Sequence, residues 1–209
     1  MYGHLDKLLA EEKKKIRTEF NRLSVMGFDE LNVVNTRKTT QDMFDRFMKE
    51  NEALYVKAAK SAYKKAAETE KTPEGIAALV AVILGGYNLV TGYLYEKEAE
   101  RKRLRLNEQI LTAREYNDRQ MFQDSLRRTA NLWWTQTTQY GISVVDSATI
   151  QAYKDRGIDY AKWIAEDDGQ TCATCKARDE KIYPISKIPS KTHYGCRCYL
   201  LPVKNDKEN

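Results

Sequence analysis

One stretch near the C-terminus, CATCKARDEKIYPISKIPSKTHYGCRC (Cys172 to Cys198), holds all four cysteines of the chain and one of its two histidines. Its pattern is Cys172-x-x-Cys175, then a longer spacer, then His193-x-x-Cys196-x-Cys198. Two residues between ligands let both side chains turn toward one ion while backbone amides donate to the sulfurs. Two such pairs predict a tetrahedral Cys3His zinc site. Cys198 competes with His193 for the fourth position, because residues two apart on a strand face the same side.

The residues around this cysteine and histidine pattern supply little apolar area of their own. The large apolar side chains near it are few, and they include Ile182, Tyr183, Ile185, Ile188, Tyr199 and Leu200. A unit with so thin a core usually needs a metal or a disulfide as a staple. We therefore interpret the pattern as a structural zinc site in which the protein fills all four coordination positions.

Two other interpretations of the cysteines stay open on the sequence. The thiols can form disulfides or remain free. A catalytic metal would keep one coordination position open, usually beside a Glu or His that acts as a base. The acids near the cysteines in sequence are Glu166, Asp167, Asp168 and Glu180, and they form no recognised catalytic arrangement. We therefore predict that the chain is not an enzyme.

The composition is that of a globular protein with a mild excess of positive charge. The 209 residues are 42% hydrophobic and 31% charged, and the formal net charge is +5 at pH 7. Such a charge allows contact with nucleic acid without requiring it. Residues 1–23 carry charges throughout and lack an apolar central run, so we predict no secretory signal. In a reducing cytosol, paired cysteines bind metal more often than they form disulfides.

Apolar residues recur at helical spacing over the first two thirds of the chain. One stripe consists of Leu5, Leu8, Leu9, Ile16, Phe20 and Leu23. A second helix is predicted to begin at the capping-box-like TTQD of Thr39–Asp42, and a third to run from Lys97 to Tyr140. A short helix is predicted over Asp146–Gly157, with Ser147 as its N-cap and Gly157 as its end.

The pattern changes at Ile158, where IDYAKWIAEDDG alternates and is rich in β-branched and aromatic residues. We predict a strand here that ends in a turn at Asp167–Gly169. Prolines, cysteines and short apolar pairs then replace helical periodicity. The predicted fold is mainly α, with an elongated helical region over residues 1–157 and a small metal-stapled α+β module over residues 158–209.

The segment GIAALVAVILGGYNLVTGYLY (Gly75–Tyr95) is uncharged and approaches the length of a membrane span. It contains Asn88, Thr91, four glycines and three tyrosines, and its strongly apolar part, Ile76–Leu84, is too short to span. We predict a buried helix followed by a break at Gly85-Gly86, and no contact with a membrane.

A positive row is predicted on the helical segment that follows. Lys97, Arg101 and Arg105 are spaced four residues apart, so they share one face of a continuous helix. They are the candidate residues for binding nucleic acid. Three glutamates interleave with them, which favours a solvated, salt-bridged surface as the alternative. Any DNA binding should be weak and blind to sequence, because phosphate contacts and counterion release would drive it.

A resemblance to a known family is carried by KWIAEDDGQTCATCKARDEKIYPISKIPSKTHYGCRCYLLP, residues 162–202. This stretch resembles the C-terminal signature of phage Mu protein F-like minor head proteins, also called phage head morphogenesis proteins. The residues that match it in order are Trp163, Asp168, Cys172, Cys175, Tyr183, Pro189, His193, Cys196, Arg197 and Cys198. With a helical lead-in from about Arg128, the resemblance covers roughly the last 80 to 110 residues, and its His-x-x-Cys-Arg-Cys ending is fairly specific.

The resemblance implies a virion component of a tailed phage or prophage, made in the host cytoplasm and placed in the head interior or near the portal. The implied partners are the portal protein, the scaffold or major capsid protein and packaged double-stranded DNA, and the chain could form oligomers. The implied roles are head assembly and DNA packaging or ejection. The alternatives are a metal-dependent nuclease or toxin-type enzyme, and a zinc module that binds nucleic acid. A nuclease should show clustered acids or a further histidine-based metal site, and neither is evident.

Overall fold

A computed structural model of the protein describes residues 2–26, 28–166, 171–191 and 193–203. Over these residues the chain is mainly helical, with a small antiparallel sheet near the C-terminus, which confirms the predicted fold class. The α-helices are α1 (Gly3–Ser24), α2 (Val33–Ala67), α3 (Ile76–Gly85), α4 (Tyr95–Glu115), α5 (Arg119–Asp155) and α6 (Ala173–Arg178). The strands are β1 (Tyr160–Ile164), β2 (Ile182–Pro184) and β3 (Tyr199–Val203), and 3-10 turns lie at Phe28–Glu30 and Ile185–Lys187.

The two longest helices, α2 and α5, pack against each other, and α1 and α4 pack against both. The stripe predicted on α1 is buried at Leu5, Leu9, Ile16, Phe20 and Leu23. Burying a side chain of this size contributes roughly 1.5–3 kcal/mol. The face that α1 turns to the bundle therefore holds this helix in place.

An aromatic cluster, consisting of Phe20, Phe44, Phe47 and Trp133, forms one part of the core. The Trp133 ring is fully buried, and its centroid lies 4.9 Å from that of Phe44 and 5.6 Å from that of Phe47. The Phe20 and Phe47 centroids are 6.2 Å apart. Ring pairs at these distances add roughly 0.5–1.5 kcal/mol each beyond the area they bury.

The sheet has the strand order β2-β1-β3, with both pairings antiparallel. Trp163 of β1 stands opposite Leu200 of β3, and both side chains are buried together with Ala161. These residues belong to the same buried cluster as residues of α1, α2 and α5. The C-terminal strands therefore rest on the helices, and the division of the chain at Gly157 stays a prediction.

The predicted start of the second helix at Thr39–Asp42 is wrong. Helix α2 begins at Val33, because the Asn32 side chain caps it by accepting a hydrogen bond from the Asn35 backbone N–H at 2.9 Å. Thr40 lies inside the helix and its hydroxyl bonds back to the Thr36 carbonyl at 3.0 Å. A capping-box pattern is short, so it also occurs by chance within helices.

The predicted helix over Lys97–Tyr140 is in fact two helices. The break lies between α4 and α5, where Asn117 has a φ of +51° and Asp118 caps α5 by accepting from the Met121 N–H at 2.8 Å. Asparagine tolerates this left-handed conformation better than most residues. No glycine or proline marks the break, and periodicity alone missed it.

Helix α5 also continues where the sequence predicted a new start at Ser147. Gly141 lies within α5 and does not end it. A Cβ at Gly141 would lie 2.9 Å from Leu5 Cδ1, so this glycine permits the close approach of α1. The predicted end is correct, since α5 closes at Asp155 and Gly157 has a φ of +69°, a conformation that favours glycine.

The apolar segment forms the ten-residue helix α3, and Gly86 follows it as predicted. Ile76, Val80 and Leu84 are buried against the bundle, whereas Val82 on the other side is 71% exposed. The prediction of a buried helix thus holds for one face only. Within the described parts of the chain, every helix is too short or too polar to cross a membrane.

Candidate metal centre

The first predicted ligand pair is built by the short helix α6. Cys172 is the residue before this helix, and its Sγ accepts a hydrogen bond from the Cys175 backbone N–H at 3.4 Å. The N–H therefore supports negative charge on the sulfur and lowers the pKa of the Cys172 thiol. Such an amide-to-sulfur bond is the geometry that the two-residue spacing predicted.

The second ligand pair comes from the loop before β3 and meets the first pair in space. Cys175 Sγ lies 3.5 Å from His193 Nε2 and 3.5 Å from Cys196 Sγ. A tetrahedral site with metal–sulfur bonds of about 2.3 Å has sulfur–sulfur edges of about 3.8 Å. The distances between these donor atoms are thus close to those of a tetrahedral metal site.

All five predicted ligands come together in what we call the Cys/His cluster. Two groups of three have ligand atoms within 4.8 Å of one another, namely Cys172, Cys175 and His193, and Cys175, Cys196 and Cys198. Cys175 belongs to both groups and joins them. The cluster offers five donor atoms, one more than a tetrahedral ion takes, so the choice between His193 and Cys198 stays open.

The histidine is oriented for binding through one nitrogen. His193 Nδ1 lies 3.0 Å from the Tyr194 backbone carbonyl oxygen, while Nε2 faces Cys175. A proton on Nδ1 donated to this carbonyl leaves the Nε2 lone pair free for a metal. Gly195, next in the loop, has a φ of +69°, so the turn that brings His193 and Cys196 together favours glycine at this position.

The four cysteines are free thiols in this structure. The 3.5 Å between Cys175 Sγ and Cys196 Sγ exceeds the roughly 2.05 Å of a disulfide bond. Both sulfurs are buried, and burial raises the pKa of the Cys175 and Cys196 thiols. Buried thiolates need a nearby positive charge, and a bound metal ion would supply it. Thiolates with an imidazole are a donor set that fits a metal site.

The acids near the cysteines in sequence do not join the cluster. Glu166 and Glu180 are exposed, and neither belongs to a metal-capable group within the described chain. The predicted turn at Asp167–Gly169, including Asp168 of the family signature, lies outside the described residues.

The N-terminus contacts the Cys/His cluster, which the sequence did not predict. The Tyr2 hydroxyl lies 3.0 Å from the Cys198 carbonyl oxygen and 2.6 Å from Asp146 Oδ1. Lys191 Nζ lies 2.7 Å from Asp146 Oδ2, and it also hydrogen-bonds the Tyr2 hydroxyl. Arg197, between two of the ligands, forms an ion pair with Asp6 of α1 at 2.7 Å. Tyr2 carries no motif, so no local signal could have found it.

Helix α5 also contacts the loop that carries His193 and Cys196. Gln139 Oε1 accepts a hydrogen bond from the Gly195 backbone N–H at 3.3 Å, and the Gln139 side chain is almost fully buried. The Tyr153 hydroxyl donates to the Leu200 carbonyl at 3.0 Å. Helix α5 therefore holds the loop at Gly195, between His193 and Cys196, and holds β3 at Leu200.

The predicted nucleic-acid row lies on one helix, α4, but its members face two different grooves. Arg101 and Arg105 line a cleft between α4 and α5. Lys97 lines a neighbouring groove that also contains Asp45 and Glu52. The role of these three residues in binding nucleic acid stays a prediction.

Comparison of the chain with protein-family models, with curated proteins and with solved structures finds no match.

Proposed function

We propose that this chain is a minor head protein of a tailed phage or prophage, acting in head morphogenesis near the portal. The observation that supports the proposal is the Cys/His cluster, whose His193-x-x-Cys196-Arg197-Cys198 ending resembles the family signature. On this proposal the long helices present surfaces to the portal, scaffold or major capsid protein. The protein is made in the host cytoplasm and ends in the virion, in the head interior or close to the portal.

The metal in this proposal is zinc, and its role is structural. Zinc favours tetrahedral sets of thiolate and imidazole ligands, and structural sites take all four ligands from the protein. Protein purified without a chelator should contain about one zinc per chain. Elemental analysis tests this, and a folded, metal-free C-terminal module would contradict it.

Two matched variants decide the fourth ligand. If His193 binds the ion, His193→Ala weakens zinc binding and Cys198→Ser leaves it near the wild-type value. If Cys198 binds the ion, Cys198→Ser weakens zinc binding and His193→Ala leaves it near the wild-type value. Cobalt substitution gives an independent readout, because the absorption of tetrahedral cobalt depends on its number of thiolate ligands.

On the same proposal the chain has no enzymatic turnover. A closed four-ligand site leaves no position for a reactive water, and Glu166 and Glu180 lie outside the cluster. Purified protein should not cleave DNA or RNA in the presence of divalent metals. Cleavage that disappears with a point change in this chain would support the nuclease or toxin alternative instead.

The head role is tested with defined partners. The purified chain should bind the portal, scaffold or major capsid protein encoded by neighbouring reading frames, and mass spectrometry should find it in purified virions at low copy number. The Cys175→Ser variant should fail to incorporate if the C-terminal module is needed for docking. Absence of the wild-type chain from virions that contain the portal would refute the proposal.

Packaged double-stranded DNA is a further proposed partner, through the row of Lys97, Arg101 and Arg105. A titration of duplex DNA at several salt concentrations tests it. Neutralising the three residues together should flatten the salt dependence, because fewer counterions are then released on binding.

A further inference from the structure

The cleft between α4 and α5 carries three arginines without a neutralising partner. Arg101, Arg105 and Arg128 line this cleft, whose volume is about 210 Å³. Within the described residues, none of the three guanidinium groups forms an ion pair. Three unpaired positive charges in one small cleft repel one another, so the free protein holds an uncompensated charge there.

The connection between the two helices explains why these arginines converge. Only Tyr116, Asn117 and Asp118 separate α4 from α5, and helices joined by so short a link run antiparallel as neighbours. Residues at similar distances from the link then face each other, which places Arg105 of α4 near Arg128 of α5. Arg101, one turn further along α4, faces the same cleft, and its guanidinium lies 4.6 Å from the centre of the Tyr93 ring.

The lining between the helices is polar and buried. Glu98 and Lys102 form a buried ion pair, so the two charges neutralise each other. Gln136 is 1% exposed. Glu98 Oε2 and Gln136 Oε1 find no hydrogen-bond partner in the described part of the chain. Both oxygens are hydrogen-bond acceptors, so they can pair only with donor groups of an occupant and not with phosphate oxygens, and any phosphate in the cleft must bind through the arginines.

Neighbouring cations differ from these three arginines. Lys97 shares its groove with the carboxylates of Asp45 and Glu52. Arg127, next to Arg128 in sequence, pairs with Asp124 at 2.9 Å and points elsewhere on α5. The uncompensated charge is therefore a property of the cleft and not of the whole basic segment.

We propose that the α4–α5 cleft is a phosphate-binding site in which Arg101, Arg105 and Arg128 donate to the phosphate oxygens. The planar guanidinium group matches phosphate with paired hydrogen bonds, which gives both strength and geometry. Tyr194, from the loop of the Cys/His cluster, lines the same cleft and places an aromatic ring beside it. The phosphate belongs either to a nucleic-acid strand or to a free nucleotide or phosphate ion. For a strand ligand this inference rests on the DNA contact proposed above for Arg101 and Arg105, and it is distinguished from that contact by its dependence on Arg128 and not on Lys97. Binding of a free nucleotide or phosphate ion does not rest on the proposed head role.

The experiment measures binding of three probes to the full chain: inorganic phosphate, ATP and a labelled single-stranded DNA oligonucleotide. Each of Arg101→Gln, Arg105→Gln and Arg128→Gln should weaken binding about tenfold, as expected for a lost charge-assisted hydrogen bond. The triple variant should abolish it. A control variant with Arg17→Gln, Lys57→Gln and Lys60→Gln removes the same charge at exposed positions elsewhere and should bind nearly as well as wild type.

The probes also distinguish the two sources of phosphate. Binding of the oligonucleotide alone supports a strand ligand, and binding of ATP or phosphate with similar strength supports a free one. The proposal is overturned if the triple variant of Arg101, Arg105 and Arg128 binds every probe as tightly as the control variant. It is also overturned if the wild-type protein binds none of the probes at low salt. Circular dichroism melting checks that the variants are folded, and NMR shifts of the arginine Nε–H groups on phosphate titration report the contact directly.

Discussion

The aromatic cluster around Trp133 and the Cys/His cluster around Cys175 are both buried, but they are held together differently. Trp133 is 0% exposed and packs on Phe44 and Phe47 through ring faces and edges alone. Cys175 is 2% exposed, and its Sγ lies 3.5 Å from His193 Nε2 and 3.5 Å from Cys196 Sγ, which are specific donor atoms. Burial of apolar area tolerates many side chains of similar volume, whereas a ligand position tolerates very few.

This difference shows where the stability of each region is concentrated. The strands of the C-terminal sheet have five, three and five residues, too few to be stable as an isolated sheet. We expect their stability to depend on a metal held by the Cys/His cluster and on contacts with α5 and the N-terminus. The helical region spreads its stability over many apolar side chains, so it should survive the loss of the C-terminal contacts.

Metal removal should have the largest effect, and it should be confined to one region. A strong chelator, or Cys175→Ser, should abolish hydrogen-exchange protection in β1, β2 and β3, because a structural zinc of the kind proposed would contribute on the order of 10 kcal/mol to the folding of a small module. Amides of α2 and α5 beside Trp133 should keep their protection.

The matched control is Lys176→Ser, since Lys176 is an exposed neighbour of Cys175 in α6. It should change neither region. If the strands stay protected in metal-free protein, the proposed difference between the two regions is wrong, and packing alone holds both of them.

Truncation of Trp133 should give the next largest effect, in the opposite region. Trp133→Ala leaves a cavity beside Phe44 and Phe47 and should lower the free energy of unfolding by about 3–5 kcal/mol, measured by urea denaturation. Zinc content should not change. Trp133→Phe serves as the control and should cost much less, because it keeps an aromatic ring in the cluster. A shared loss of metal in Trp133→Ala would show that the regions unfold together.

Removal of one hydroxyl should test the link between the N-terminus and the Cys/His cluster. Tyr2→Phe loses contacts with Asp146 and the Cys198 carbonyl and should destabilise the protein by about 1–3 kcal/mol. Faster hydrogen exchange should appear in α1 and β3 first. Tyr87→Phe is the control, because Tyr87 is 64% exposed, and it should have no measurable effect.

The smallest expected effect is a change in the free energy of unfolding with pH, and it arises from Glu12 in helix α1. Burial raises the pKa of the Glu12 carboxyl above its usual value, although Lys15 Nζ at 3.6 Å opposes the shift. The folded state therefore favours the protonated form, so the contribution of Glu12 to stability is present below pH of about 4.3 and is lost as pH rises through the folded-state pKa.

The variant Glu12→Gln should remove this dependence. The difference in unfolding free energy between Glu12→Gln and wild type should grow in favour of the variant as pH rises from acid toward neutral. Glu11→Gln is the matched control at an exposed position, and its difference in unfolding free energy from wild type should not change with pH. A flat difference for Glu12→Gln as well would mean that Lys15 compensates the burial completely.

The sequence by itself determined the features that depend on local patterns. The paired spacing of Cys172 with Cys175 and of His193 with Cys196 predicted ligands that the fold brings together, because two intervening residues constrain side-chain direction whatever surrounds them. The strand at Tyr160–Ile164 and the helix end just before Gly157 were predicted for the same reason, since alternation and a left-handed glycine are local properties.

Only the tertiary structure decided what depends on residues far apart in the chain. Gly141 lies inside α5, where the absence of a Cβ makes room for Leu5 of α1. Arg101 and Arg128 share a cleft because α4 and α5 fold back on each other. Tyr2 reaches the backbone of Cys198 across nearly the whole sequence. Close packing and hydrogen bonding at such separations follow from how the elements are arranged in space, and no local pattern encodes them.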